Sequence, residues 1–265
     1  MELIGYIGAI LMGLTLGLIG GGGSILTVPI LVYLFHIDTV QATAYSLFIV
    51  GLTSLVGSVS HFKQNNIDWR SVLMFGIPSV FSVFITRTYL VKLIPEIVLS
   101  FGSISINKSL FLLLIFALVM LFAAYSMIKK PKYAEQEKVQ QNPNNTLLIA
   151  QGLFVGEVTG LVGAGGGFLI IPALVIMANL PIKKAIGTSL VIIVLNSLIG
   201  FMSNHVGIQA SDWGFMLKFF GIASIGILIG GALSKKISSE KLKPAFGWFV
   251  LIMGSFIIIK ELLIK

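Results

Sequence analysis

The chain has no cysteine, three histidines and only ten acidic residues among its 265. The first absence excludes disulfides, thiolate catalysis and cysteine-ligated metal, and carries no information about compartment. The histidines form no H-x-x-x-H or H-E-x-x-H pair, so no metal site is expected. No Ser-His-Asp set and no carboxylate pair shares one stretch, so no enzyme is expected. Charged residues make up 11% of the chain, against about a quarter in a soluble domain. That is too little charge to wet a whole surface. A basic leader with a small-residue cleavage site is missing after Met1-Glu2, so a cleaved signal peptide is not expected. The glycine runs are not followed by Lys-Ser/Thr, which excludes a P-loop, and they lack the βαβ context of a dinucleotide site.

What is present is apolar. Hydrophobic residues make up 56% and the mean hydropathy is +1.01. Apolar stretches cover 3–35, 40–60, 71–91, 107–128, 146–180, 185–204, 213–233 and 245–264. Crossing a bilayer takes roughly 20 residues of helix, and these stretches supply it. They are continuous and do not alternate, which excludes a β-barrel. The expected fold is an all-α polytopic membrane protein with lipid around it. The net charge of +8 falls largely in short loops, where it orients helices. No basic patch interleaved with aromatics accompanies it, so no nucleic acid is expected as a partner, and no cofactor is indicated.

One long polar segment, 129–145 (KKPKYAEQEKVQQNPNN), divides an N-terminal membrane repeat, 1–128, from a C-terminal one, 146–265. Gly13 to Pro29 reads GLTLGLIGGGGSILTVP and Gly156 to Pro172 reads GEVTGLVGAGGGFLIIP, 143 residues later. Ala42, Ser46, Leu47, Ser54, Leu55, Gly57 and Ser60 match Ala185, Ser189, Leu190, Ser197, Leu198, Gly200 and Ser203 at the same offset. Asp68-Trp69 matches Asp212-Trp213 with one residue inserted. Repeated glycine- and proline-broken segments in apolar sequence point to a transporter with discontinuous helices at its substrate site.

Each broken segment reads as a re-entrant hairpin. Its arms of about 15 residues would reach about 22 Å at 1.5 Å per residue, short of the roughly 30 Å core. Three full spans then remain per half, and an odd number inverts the second half against the first. Twelve lysines and arginines then share one side, including Lys63, Arg70, Lys183 and Lys184. Six lie opposite: Arg87, Lys92, Lys108, Lys218, Lys260 and Lys265. The positive-inside rule puts the 129–145 loop in the cytoplasm and both termini outside, in a cytoplasmic (inner) membrane.

Glycine runs at membrane depth expose backbone groups, which is tolerated where they are buried in protein or line a cavity. Helical arms begin at Ser24 and Phe168, and their free N–H groups would face whatever lies between the tips, favouring an anion. The candidate substrate-binding residues are Gly20, Gly21, Gly22, Gly23 and Ser24 on the first tip. Gly163, Ala164, Gly165, Gly166 and Gly167 form the second. Ser46, Thr188, Ser189 and Asn196 follow as side-chain donors in the next apolar stretch of each half. Gly13, Gly17, Gly156 and Gly160, at spacing four, read as helix packing. Glu157 is a candidate coupling residue, because an acid within an apolar stretch usually faces a cavity or carries protons. An alternative places it at the mouth of the hairpin. His61 and His205 occupy corresponding helix ends, as anion contacts, pH sensors or interfacial residues. Gly226, Gly230 and Gly231 permit a homodimer seam or internal packing equally.

The doubled G-x-x-x-G-x-x-G-x-G-G-[GS]-x(4,5)-P motif resembles the TauE/SafE family, also called the toluene-sulfonate uptake permease family. The A-x-x-x-S-L stretches from Ala42 and Ala185, and the His61…Ile67-Asp68-Trp69 segment, are similar to that family as well. The resemblance spans the whole chain. It implies a permease for sulfur-containing anions, sulfite or sulfonates, in the bacterial inner membrane. Departures are Ala44-Tyr45-Ser46 in place of Gly-Thr-Ser, Asn65-Asn66 in place of a glycine, and Ser24 where the second copy has Gly167. The expectation is a secondary transporter for such an anion, working by alternating access with possible proton coupling. The alternatives are a passive anion channel and a Na⁺ or metal carrier.

Overall fold

A computed structural model describes residues 2–101, 104–128, 145–176, 178–203, 207–234 and 239–263. Residues 129–144, most of the polar segment, and His205 lie outside the described residues. Among the described residues there are ten helices: α1 (Glu2–Ile19), α2 (Ser24–Tyr33), α3 (Thr39–Lys63), α4 (Trp69–Leu93), α5 (Lys108–Ile128), α6 (Asn145–Val162), α7 (Gly167–Ile176), α8 (Ile182–Met202), α9 (Ala210–Leu233) and α10 (Ser239–Leu263). Six helices among the described residues, α3, α4, α5, α6, α8 and α9, are long and apolar enough to cross a membrane. The chain is a multi-pass membrane protein.

Polar residues fix several helix starts. The Asp38 carboxylate accepts from the Val40 N–H at 2.8 Å and caps α3. Asp68 accepts from the Ser71 N–H at 2.8 Å and caps α4. Asp212 accepts from the Gln209 N–H at 2.8 Å in a capping box that opens α9. Each cap satisfies backbone donors that would otherwise be orphaned at a helix end.

Two details depart from the sequence expectation. A short antiparallel hairpin, β1 (Ile97–Phe101) and β2 (Ile104–Asn107), joins α4 to α5, so the chain is not wholly helical. Its strands, IVLSF and ISIN, carry isoleucine, valine and phenylalanine, which suit a paired, pleated surface. The arms of each broken segment are also unequal, 18 and 10 residues, where about equal arms were expected. At 1.5 Å per residue these are about 27 Å and 15 Å long. Pro29 and Pro172 sit inside the short arms, so only the glycines make the break.

Packing crosses between the halves. Helix α1 lies along α9, α6 along α4, α3 against α8, and α5 against α10. Glycines allow backbones to touch in the first two pairs. A methyl group at Gly13 or Gly17 of α1 would strike the carbonyls of Ala223 or Ile227 of α9. One at Gly226 or Gly230 of α9 would strike those of Ile10 or Leu14 of α1. Both of these α9 glycines are thus used inside the protein, whereas a methyl on Gly231 would meet nothing. Likewise Gly152, Gly156 and Gly160 of α6 lie against Phe75, Ser79 and Thr86 of α4. In both pairs the contacts rise together in number, so the helices are parallel. Between α3 and α8 they run oppositely: Leu47 against Gly200, Gly51 against Ser197 and Leu198, Gly57 against Leu190. Those two helices are antiparallel.

Candidate functional site

The two glycine runs form turns with the same bonds at matching positions. Gly20 N–H donates to the Leu16 carbonyl at 2.7 Å, and Gly163 N–H to that of Thr159 at 2.9 Å. Leu26 N–H donates to Gly23 at 3.1 Å, and Leu169 N–H to Gly166 at 2.9 Å. The first turn needs one left-handed residue, Gly20 at φ +79°. The second needs three: Gly163 at +73°, Gly165 at +66° and Gly166 at +74°. Only glycine adopts these angles at no steric cost.

The tips touch. A methyl on Gly21 would fall on the backbone of Gly167, and one on Gly167 would lie 2.5 Å from the Gly21 Cα. Helices α2 and α7 begin here, so two helix N-termini open at one joint. Tip residues 20–24 and 163–167 are all buried. Gly165 lies against α3 and α8: a methyl there would be 2.8 Å from Ser197 Oγ and 3.0 Å from both Val50 and Ile193. Gly23 packs on its own first arm, at Met12 and Leu16.

Two hydroxyls cover carbonyls of the first tip. The Ser24 hydroxyl donates to the Gly21 carbonyl at 2.8 Å. The Ser189 hydroxyl is shared between the Gly20 carbonyl at 3.2 Å and the Ile186 carbonyl at 2.8 Å. Ser46, which holds the register of Ser189 in the first half, is fully buried and its hydroxyl has no partner.

Other sequence candidates are spread more widely. Thr188 Oγ1 accepts from the Asp68 N–H at 2.8 Å, tying the start of α8 to the turn before α4. Asn196 is fully buried; its amide donates to Ser79 Oγ at 2.7 Å, while its carbonyl oxygen has no partner. Glu157 is exposed on α6. His61 lines a cavity of about 150 Å³ together with Gly17, Ser60 and Gly231.

One residue at the second tip escaped the sequence reading. Arg87, counted there as a loop charge, is 2% exposed. It is the one buried Asp, Glu, Lys or Arg among the described side chains. It lies in a wide, π-helical turn of α4, Thr86–Leu90, which brings the adjacent Thr86 and Arg87 both inward. Such turns often mark functional positions. The available signal was Thr86-Arg87-Thr88 inside the apolar stretch 71–91.

Residues 6–257 match the family model described as sulfite exporter TauE/SafE. The chain belongs to the TauE/SafE family. A probable membrane transporter protein of Xylella fastidiosa (strain 9a5c) is 28% identical over 255 residues, covering 94% of this chain and 91% of that one. One of Methanocaldococcus jannaschii is 30% identical over 272 residues, covering 94% of each. Probable membrane transporter protein YunE of Bacillus subtilis (strain 168) is 28% identical over 264 residues, covering 92% and 94%. No solved structure matches the chain. As a TauE/SafE member, the protein is a membrane transporter and not an enzyme.

Proposed function

We propose that this transporter moves a small sulfur-containing anion, such as sulfite or an organosulfonate, across the cytoplasmic membrane by alternating access. The observation that carries the reading is the joint at Gly21 and Gly167, where two helix N-termini open into buried protein. Free N–H groups and the positive ends of two helix dipoles favour an anion there.

The halves are inverted repeats in this reading. The antiparallel contact of α3 with α8, which hold matching sequence, supports it. So does the recurrence of one left-handed turn at His36 and Asn179, each followed by the same bond, Ile37 N–H to Leu31 and Leu180 N–H to Leu174. Inversion lets each half take the other's conformation, which reverses the open side. Both termini then lie outside and the 129–145 linker lies in the cytoplasm. With Arg87 buried, the basic bias becomes twelve against five, which sharpens the positive-inside argument.

The test is flux into proteoliposomes offered sulfite, thiosulfate, methanesulfonate, sulfate or Na⁺ outside, each with and without a pH gradient. Saturable sulfur-anion uptake that Gly165→Leu abolishes is the expected result. Non-saturable flux indifferent to the gradient would make it a channel. Uptake of Na⁺ alone would make it a cation carrier.

A further inference from the structure

We infer that Arg87 is the charge that holds the transported anion, in a site built on one side only, at the Gly163 tip. This rests on reading the chain as an anion carrier.

Arg87 Nη1 donates to Thr43 Oγ1 at 3.1 Å. Its Nε and Nη2 are buried and have no partner within the protein. No other charged side chain is buried with it among the described residues. A buried guanidinium with donors unmet is costly, and buried charges are normally paired. The orphaned donors therefore point to an anion as their partner.

Its surroundings are short of acceptors in the same place. Thr86 Oγ1 and Thr159 Oγ1 are buried without partners. All of these groups ring one stretch of chain, 159–166. A methyl on Gly163 would lie 2.7 Å from Arg87 Nη2, one on Gly160 3.3 Å from Thr86 Oγ1, and one on Gly166 would fall on Thr159 Oγ1. Adjacent guanidinium donors, Nε and one Nη, form the fork that grips two oxygens of a planar or tetrahedral oxyanion. Two hydroxyls beside it supply further donors.

The other half has no such charge. Gly17 of α1 packs on Gly230 and Gly231 of α9 as Gly160 of α6 packs on Thr86. The position matching Arg87 is therefore Gly231, without a side chain. Where Gly163 meets Thr43, Gly20 meets Ile186. Backbone symmetry is thus combined with a one-sided charge, and a single anion binds per chain.

The experiment is thermal unfolding of the detergent-purified protein, as wild type, Arg87→Lys and Arg87→Gln. Each is titrated with sulfite, thiosulfate, methanesulfonate, sulfate, phosphate and acetate against a chloride background. A sulfur anion should stabilise the wild type. Binding to Arg87→Gln should be about 10- to 100-fold weaker, the loss expected for hydrogen bonds to a charged group, with Arg87→Lys in between. Without added anion, Arg87→Gln should unfold at or above the wild-type temperature, because an unpaired buried charge is gone. Affinity in Arg87→Gln within twofold of wild type overturns the inference. So does a large fall in its anion-free unfolding temperature, which would make Arg87 structural. Arginine-dependent stabilisation by acetate or phosphate alone keeps the site and overturns the sulfur reading. Stabilisation of the wild type by none of the six overturns both.

Discussion

Gly21 and Gly167 meet backbone to backbone, each filling the space where the other would need a side chain. This contact joins the two hairpins, and it is where the first prediction falls. Gly21→Leu and Gly167→Leu should each abolish transport and cost at least about 1–3 kcal/mol from overpacking. Gly221→Ala, on an open face of α9, is the control and should keep wild-type flux. Unfolding in detergent and proteoliposome flux read the two effects separately.

Thr188 separates structure from transport. Its hydroxyl accepts from the Asp68 N–H and not from a tip residue. Thr188→Val should lower stability by about 1–2 kcal/mol through the unsatisfied N–H, leaving the apparent KM for the transported anion unchanged. A raised KM with unaltered stability would return Thr188 to the substrate site.

The Asn196–Ser79 hydrogen bond joins α8 to α4 across the halves. A double-mutant cycle of Asn196→Leu and Ser79→Ala should give a coupling of about 0.6 kcal/mol, near the average for bonds between membrane helices. Absence of coupling would show that Asn196 keeps its amide free for substrate.

A chain without cysteine suits labelling. Gln64→Cys, Lys184→Cys and Glu96→Cys each introduce one exposed thiol. In the inverted arrangement Gln64 and Lys184 share the cytoplasmic side and Glu96 lies opposite. An impermeant maleimide should label Glu96→Cys in right-side-out vesicles and the other two only in inverted ones. Opposite sides for Gln64 and Lys184 would mean parallel halves.

Glu157 gives the last prediction. Exposed on α6, it should tolerate Glu157→Gln with flux retained and its dependence on a pH gradient unaltered. Loss of the gradient dependence alone would identify it as the coupling group.

The glycine and proline register was legible because backbone geometry writes itself into residue type. A left-handed turn demands glycine, so Gly20 and Gly163 announced themselves. Helix contacts at spacing four did the same for Gly13, Gly17, Gly156 and Gly160. Arg87 was not legible because a lone arginine near the end of an apolar stretch reads as a loop charge. Only the parallel packing of α6 on α4 brings it to Gly163. The unequal arms were hidden too, since Pro29 and Pro172 drew attention to breaks that the helices absorb. The β-hairpin escaped because Ile97–Asn107 is short and adjoins a helical stretch.

The exchange of partners between halves has a consequence for biogenesis. Helix α1 leaves the ribosome early, whereas α9, on which it packs, is made only after most of the chain. Until then its glycine face has only lipid to touch, and α4 likewise waits for α6. Insertion therefore precedes assembly by most of the translation time, and the first half cannot complete its packing alone.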